Sequence, residues 1–272
     1  MSLQVKKKPE CNLAQLVEVM AKLRGEGGCP WDREQTQESL KPYVIEEAFE
    51  VLEAVESGRP DKLCEELGDL LLQVIFHAEI AAETGQFDID DVIGGIVAKL
   101  IRRHPHVFGT VAVDGVAGVL DNWEKIKQSE KPGERPSALD GIPKDFPALM
   151  KAEKIQGKAA RVGFDWGNLE GPLAKVKEEF GEFEAVLDPA ALPEEGSPAW
   201  SRLEDELGDI LFAMVNVARV LKIHPELALR RTIAKFDKRF RYIEAAAAAA
   251  GKSLPEMTLA EMDRYWEEAK TK

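Results

Sequence analysis

Two acidic phrases of nearly identical sequence carry the residues best suited to chemistry in this chain. EELGD occupies residues 65–69, and DELGD occupies residues 205–209. Each follows a second acidic phrase, EEAFE at 46–50 and EEFGE at 178–182. Carboxylates three residues apart share one face of a helix. Each pair of phrases is therefore expected to gather four carboxylates at one site.

These quartets contain oxygen ligands only, with no thiolate or imidazole beside them. Their members are Glu47, Glu50, Glu66 and Asp69 in the first half, and Glu179, Glu182, Glu206 and Asp209 in the second. A buried carboxylate is costly and like charges repel, so protons or cations must neutralise such a group. Hard oxygen ligands suit Mg²⁺, with Mn²⁺ as a substitute, and Mg²⁺ commonly recruits substrate phosphates as further ligands.

A basic pair follows each acidic quartet at helical spacing. AKLIRR at 98–103 supplies Lys99 and Arg103, and AKFDKR at 234–239 supplies Lys235 and Arg239. Either pair alone is typical of a solvated basic helix face. Beside the acidic quartets, the pairs are predicted to hold the phosphate charge that a metal leaves uncompensated.

Other site chemistries find less support. A di-iron carboxylate bundle needs Glu three residues before His, and the four histidines are preceded there by Val74, Ile101, Arg103 and Leu221. P-loop, HExxH and GxSxG motifs are missing from the sequence. A Cys–His nucleophile at Cys29 stays open, although GCPWD is more typical of a structural turn in which Trp31 packs.

The elements that must position these residues are helices, because apolar residues recur at intervals of three and four. We predict an all-α fold. The expected helices span about 13–24, 43–56, 61–83, from Asp88 or Asp90 to 103, 121–128, 148–160, 171–187, 200–222, 226–249 and 258–270. Residues 25–36 and 107–118 are expected to be irregular. The long apolar runs after Asp69 and Asp209 predict helices buried nearly all round.

The order of the acidic and basic phrases is the same in both halves, which indicates a tandem repeat. Proline and glycine are frequent in 129–147, as in a linker. The sequence therefore predicts an N-terminal helical domain at 1–128, a linker at 129–147 and a C-terminal helical domain at 148–272.

Composition limits the partners. The 272 residues include 36 Lys and Arg against 49 Asp and Glu, a net charge of −13. This balance argues against nucleic acid or an anionic membrane as a general partner. Three cysteines without a paired pattern and the lack of an apolar leader or spanning segment favour a cytoplasmic protein.

At these motifs the chain resembles the MazG family of nucleoside triphosphate pyrophosphohydrolases, over about residues 12–270. The resemblance rests on the acidic phrases together with GCPWD, RRHPHVFG, KAARVGFDW and KFDKRF. It implies tandem all-α domains whose helix bundles are completed by dimerisation, so a homodimer is expected. It also implies Mg²⁺-dependent hydrolysis of NTPs and dNTPs to the monophosphate and pyrophosphate, with broad base tolerance, in nucleotide-pool cleaning or stress response.

By the same resemblance, both acidic quartets would act as metal-binding and catalytic residues, and the Lys and Arg pairs would bind phosphates. Trp266 matches a position that stacks on the base, although a core tryptophan is an equal alternative. Asp205 replaces the first Glu of the second EELGD, and the second half has GFDW in place of CPWD. The C-terminal half is the stronger candidate for catalysis. A nucleotide-responsive binding protein with little turnover is the alternative function, and a helical scaffold is a third.

Overall fold

The computed structural model describes residues 11–130 and 137–271, and these residues form helices and turns without any β-strand. The chain divides into two compact units, Met1–Glu130 and Lys131–Lys272, which we call unit 1 and unit 2. The predicted all-α class is confirmed. The predicted domain limits remain predictions, and residues 1–10 and 131–136 lie outside the described part of the chain.

Unit 1 is built on a helical hairpin. Its helices are α1 (Leu13–Arg24), α2 (Pro30–Glu34), α3 (Lys41–Ser57), α4 (Pro60–Glu83), α5 (Ile89–Arg103), α6 (Pro105–Phe108) and α7 (Gly115–Ser129). α3 and α4 form the most extensive helix–helix contact in this unit, while α1 and α5 pack on α4. Met20, Leu40, Ile75 and Phe76 form the buried core beneath the hairpin.

Unit 2 repeats this plan with a second hairpin. Its helices are α8 (Ala148–Arg161), α9 (Glu170–Val186), α10 (Pro198–Val220), α11 (Pro225–Ala249) and α12 (Leu259–Ala269), with a 3₁₀ turn at Leu254–Glu256. α9 packs along α10, α8 covers α10, and α12 packs on α11. Within the described residues, no helix of either unit is both long enough and apolar enough to cross a membrane.

Local signals in the sequence explain where several helices begin. The Asp88 side chain accepts hydrogen bonds from the backbone N–H groups of Asp90 (2.9 Å) and Asp91 (3.0 Å), so Asp88 is the N-cap of α5. Thr258 and Glu261 form a reciprocal capping box at α12.

Two segments that were expected to be irregular contain helical residues. The segment 25–36 contains the short helix α2, since Pro30 occupies a first-turn position that needs no N–H donor. Residues 107–118 are partly helical, because α6 ends and α7 begins within them.

The long apolar helices are also not buried all round. Leu67, Leu71 and Val74 on α4 are 40–49% exposed. Their counterparts 140 positions later on α10 are exposed to a similar degree: Leu207, Leu211 and Met214. The apolar runs therefore cover two faces of each helix, one packed inside the unit and one left bare, a pattern we call the exposed stripe. Residues at i, i+4 and i+7 lie on one helix face, so each stripe is continuous.

Candidate functional site

The α3–α4 hairpin brings the first acidic cluster together. Gly58 closes the turn in the left-handed conformation (φ 66°), and Pro60 opens α4. Glu47 and Asp69 are each eleven residues from Gly58, so they face each other across the hairpin. One carboxylate oxygen from each of Glu47, Glu66 and Asp69 lies within 4.8 Å of the other two.

This cluster is short of positive charge. Glu47 Oε2 is buried and accepts no hydrogen bond from the described residues. Burial raises the pKa of the Glu47 carboxyl, and repulsion from Asp69 and Glu50 raises it further. Burial, followed by repulsion from Glu50, also raises the pKa of Glu66. A buried carboxylate oxygen without a donor, in a group of converging oxygens, fits a hard divalent cation.

The α9–α10 hairpin forms the second cluster. Oxygens of Glu179, Glu206 and Asp209 again lie within 4.8 Å of one another. Glu179 is only 6% exposed. Burial is the main cause that raises the pKa of Glu206, with repulsion from Glu182 and Asp209 adding to it. The two halves of the chain therefore build equivalent groups of oxygen ligands, one on the α3–α4 hairpin and one on the α9–α10 hairpin.

A lysine forms an ion pair with a member of the second cluster. Lys175 Nζ lies 2.6 Å from Glu179 Oε1 and 2.8 Å from Glu178 Oε1. The hydrogen bonds to Glu178 and then Glu179 raise the pKa of Lys175. In unit 1 the position one turn before Glu47 is Tyr43, which brings no charge. Lys175 was not predicted from the sequence, although its i, i+4 spacing to Glu179 indicates an ion pair on one helix face.

The structure brings three members of each predicted quartet together and leaves the fourth at the edge. Glu50 stands outside the first group, yet its charge raises the pKa of Glu47 and Glu66. Glu182 stands outside the second group and acts in the same way on Glu206. The fourth carboxylate of each quartet is thus close enough to raise the pKa of a cluster member, but its oxygens are not among the converging ones.

The predicted phosphate-binding residues lie on α5 and α11. Lys99 and Lys235 are exposed, and within the described residues no ion pair joins them or Arg239 to an acidic cluster. The Arg239 guanidinium carbon lies 5.3 Å from the centroid of the Trp266 ring. The Phe236 ring lies 5.2 Å from Trp266. Arg239 and Trp266 therefore form a contiguous cationic and aromatic surface.

Arg103, the counterpart of Arg239, is already engaged. Its guanidinium donates to the carboxylate of Glu130 and lies 4.7 Å from the ring centroid of Trp123. Trp123 and Glu130 were missed by the sequence reasoning. A usable signal existed for Trp123, because NWEKIK at 122–127 parallels YWEEAK at 265–270.

The GCPWD segment is accounted for by packing. The Trp31 ring makes edge contacts with Tyr43 at 6.1 Å and Phe76 at 6.5 Å between centroids. Arg24 donates to the backbone oxygens of Asp32 and Gln35, which fixes the turn to α1. These contacts give the segment a structural role.

Comparison with known proteins identifies the same two regions. The sequence profile of the MazG nucleotide pyrophosphohydrolase domain matches residues 35–108 and 169–243. The chain is 46% identical to the nucleoside triphosphate pyrophosphohydrolase/pyrophosphatase MazG of Thermotoga maritima, over 94% of both chains. It is 44% identical to the nucleoside triphosphate pyrophosphohydrolase of Escherichia coli K12, over 94% of this chain and 95% of that one. The uncharacterized protein YabN of Bacillus subtilis is 51% identical over 93% of this chain and 50% of its own length.

Proposed function

The chain belongs to the MazG nucleotide pyrophosphohydrolase family, and on that premise we propose that it hydrolyses nucleoside triphosphates to the monophosphate and pyrophosphate with Mg²⁺ held by its acidic clusters. The observation that carries the proposal is the group formed by Glu179, Glu206 and Asp209, whose oxygens converge within 4.8 Å on a partly buried hairpin. Mn²⁺ would fit the same oxygen ligands.

We assign catalysis to the C-terminal cluster, because Arg239 of unit 2 lies beside Trp266 without an ion pair to a described carboxylate, whereas its counterpart Arg103 is bound by Glu130. Glu179, Glu206 and Asp209 would hold the metal. When bound there, a divalent ion polarises a phosphoryl oxygen and lowers the pKa of a water molecule. Glu182 lies outside the converging group and is the carboxylate left to accept a proton from the attacking water.

Binding of the nucleotide is assigned to α11 and α12. Lys235 and Arg239 would stabilise the charge that builds on the departing pyrophosphate. Trp266 would stack on the base. Stacking uses a ring face that every base presents, so it supports broad base tolerance for ribo- and deoxyribonucleotides.

A homodimer is part of the proposal, because the exposed stripes need a cover. Large exposed apolar patches on a folded protein mark interaction surfaces. Gly68 and Gly208 lie in the middle of the stripe helices, where glycine costs about 1 kcal/mol relative to alanine. A Cβ at either position would meet no atom of the described residues within 4 Å. We propose that these glycines let a helix of the second copy approach closely.

The cellular setting is the last part of the proposal. Cys11, Cys29 and Cys64 are free thiols, which supports a reducing cytoplasm. A role in nucleotide-pool cleaning or stress response is what the family resemblance implies, and it belongs to the same proposal.

Product analysis tests the proposed reaction. Purified protein is incubated with each common NTP and dNTP, with Mg²⁺ or with a chelator, and the products are separated by ion-exchange chromatography. We expect Mg²⁺-dependent monophosphate and pyrophosphate in equal amounts. Diphosphate and phosphate would refute the assigned bond. Nucleotide-dependent thermal stabilisation without turnover would favour a nucleotide-responsive binding protein instead.

Water labelled with ¹⁸O tests which phosphorus is attacked. Attack at the α-phosphorus places the label in the monophosphate, which is the result we expect. Label in pyrophosphate would mean attack at the β-phosphorus and would overturn the roles given to Lys235 and Arg239.

A further inference from the structure

The two units share an arginine–tryptophan pair as well as an acidic cluster. Arg103 and Arg239 occupy the same position in the repeated phrases at 98–103 and 234–239. Their guanidinium carbons lie 4.7 Å from the centroid of Trp123 and 5.3 Å from the centroid of Trp266, respectively. Both tryptophans are half-buried.

The two pairs differ in what else the arginine contacts. In unit 1, Arg102 Nε donates to Glu130 Oε1 at 2.7 Å, and Arg103 Nε donates to the same oxygen at 3.0 Å. Arg103 Nη2 also donates to the other oxygen, Oε2. The Arg103 and Glu130 side chains are 14% and 15% exposed. In unit 2, no carboxylate of a described residue forms an ion pair with Arg239.

Carboxylates and phosphates compete for the same donors. The planar carboxylate and the tetrahedral phosphate each offer two oxygens to two N–H groups of a guanidinium. The resulting bidentate hydrogen bonds are strong. Glu130 makes that bidentate contact on the arginine whose counterpart is assigned to phosphate in unit 2. We propose that Trp123 and Arg103 form a second nucleoside-polyphosphate site, held closed by Glu130, whose carboxylate occupies the place of a substrate phosphate. This inference rests on the proposed function, because it takes the role of Trp266 and Arg239 as its reference.

The closed state has a predictable effect on affinity. A ligand must displace a competitor on the same chain, so its apparent association constant is the intrinsic value multiplied by the fraction of molecules in which the site is open. The two arginines hold the pKa of Glu130 at about 2, so the competitor stays ionised throughout the neutral range. The Lys127 ammonium lies 5.3 Å from the Trp123 centroid and adds a second cation to the same surface. Ionised Glu130 thus competes with a ligand phosphate for the Arg103 guanidinium throughout the neutral range.

The test measures nucleotide binding to unit 1 in the full chain. Trp266→Ala with Arg239→Ala removes the unit 2 site, and the remaining affinity for an α,β-methylene nucleoside triphosphate is measured with Mg²⁺ by calorimetry. Adding Glu130→Gln should raise that affinity at least tenfold. Adding Trp123→Ala to this variant should remove the gain. Asp61→Asn is the matched control, because it neutralises another arginine-paired carboxylate of unit 1 and should change nothing.

The outcomes separate the two proposals. Failure of Glu130→Gln to raise the affinity, or persistence of the gain after Trp123→Ala, overturns the closed-site inference. If the chain with Trp266 and Arg239 intact also binds no nucleotide, the proposed function itself fails. Should Glu130→Gln abolish cooperative unfolding, Glu130→Asp, which keeps the charge but shortens its reach, is titrated instead and must also raise the affinity.

Discussion

Lys175 supplies positive charge to the C-terminal cluster when no metal ion is bound. We therefore expect Lys175 to stabilise the metal-free protein. Its ammonium lies 2.6 Å from a Glu179 oxygen, and Glu179 is 6% exposed. The change Lys175→Met keeps the aliphatic part of the side chain and removes the charge. Glu179 then faces Glu206 and Asp209 without the Lys175 ammonium. We expect the metal-free variant to be less stable than the parent chain.

The size of the loss follows from burial. Removing one partner of a fully buried ion pair costs about 3–5 kcal/mol. In this pair only Glu179 is buried, at 6% exposure, and a buried acceptor that loses its donor costs about 1–3 kcal/mol, which is the range we expect. For a domain of this size each kcal/mol lowers the unfolding midpoint by about 2–4 °C. Saturating Mg²⁺ should reduce the difference, because the ion supplies the missing positive charge.

Calorimetric unfolding with and without Mg²⁺ measures both effects. Lys252→Met is the matched control, because Lys252 lies 2.6 Å from Glu261, which belongs to neither group of converging carboxylates among the described residues. The control should lose little stability and gain nothing extra from Mg²⁺. If Lys175→Met responds to Mg²⁺ no more strongly than the control does, Lys175 is not a counter-charge for a metal site and this reasoning is wrong.

Three further predictions concern Glu47 in unit 1, Gly208 on α10 and the exposed stripe of α10. The pKa of Glu47 is raised in the folded protein, so the metal-free unit 1 should lose stability as the pH rises from the ordinary glutamate pKa through the raised one. Glu47→Gln should remove this pH dependence of unfolding. The same variant should abolish the stabilisation of unit 1 by Mg²⁺. Gly208→Ala should favour the isolated helix by up to about 1 kcal/mol yet weaken the dimer, as seen by light scattering over a concentration series, and an unchanged dimer would argue against close approach at this point. Leu211→Lys should yield monomers in the same assay, whereas Leu192→Lys, on an exposed loop, should not.

Sequence reasoning located the helices and the acidic groups because both depend on local spacing. The i, i+3 pairs and the hairpin turn at Gly58 were enough to place Glu47 opposite Asp69. Lys175 could have been found from its i, i+4 spacing to Glu179, whereas Trp123 needed comparison of the two halves beyond the acidic phrases. The Glu130 contact could not be predicted, because it joins residues 27 and 28 positions apart whose geometry depends on how α7 packs against α5.

The exposed stripes show a different limit of sequence reasoning. The apolar sequence pattern of a helix is the same whether its second apolar face is covered by the same chain or by another copy. The α4 and α10 runs were therefore expected to be buried, and only the structure shows Leu71 and Leu211 to be 40% and 52% exposed in the single chain.

Comparison of Asp69→Asn with Asp209→Asn tests the central claim most directly. Each variant removes one charge from one cluster and keeps its shape. Asp205→Asn, four residues earlier on α10 and outside the converging oxygens, is the control. The measured quantity is the initial rate of Mg²⁺-dependent pyrophosphate release. We predict that Asp209→Asn lowers kcat at least a hundredfold while Asp205→Asn and Asp69→Asn retain most of it. Full activity in Asp209→Asn would contradict the assignment of catalysis to the C-terminal cluster.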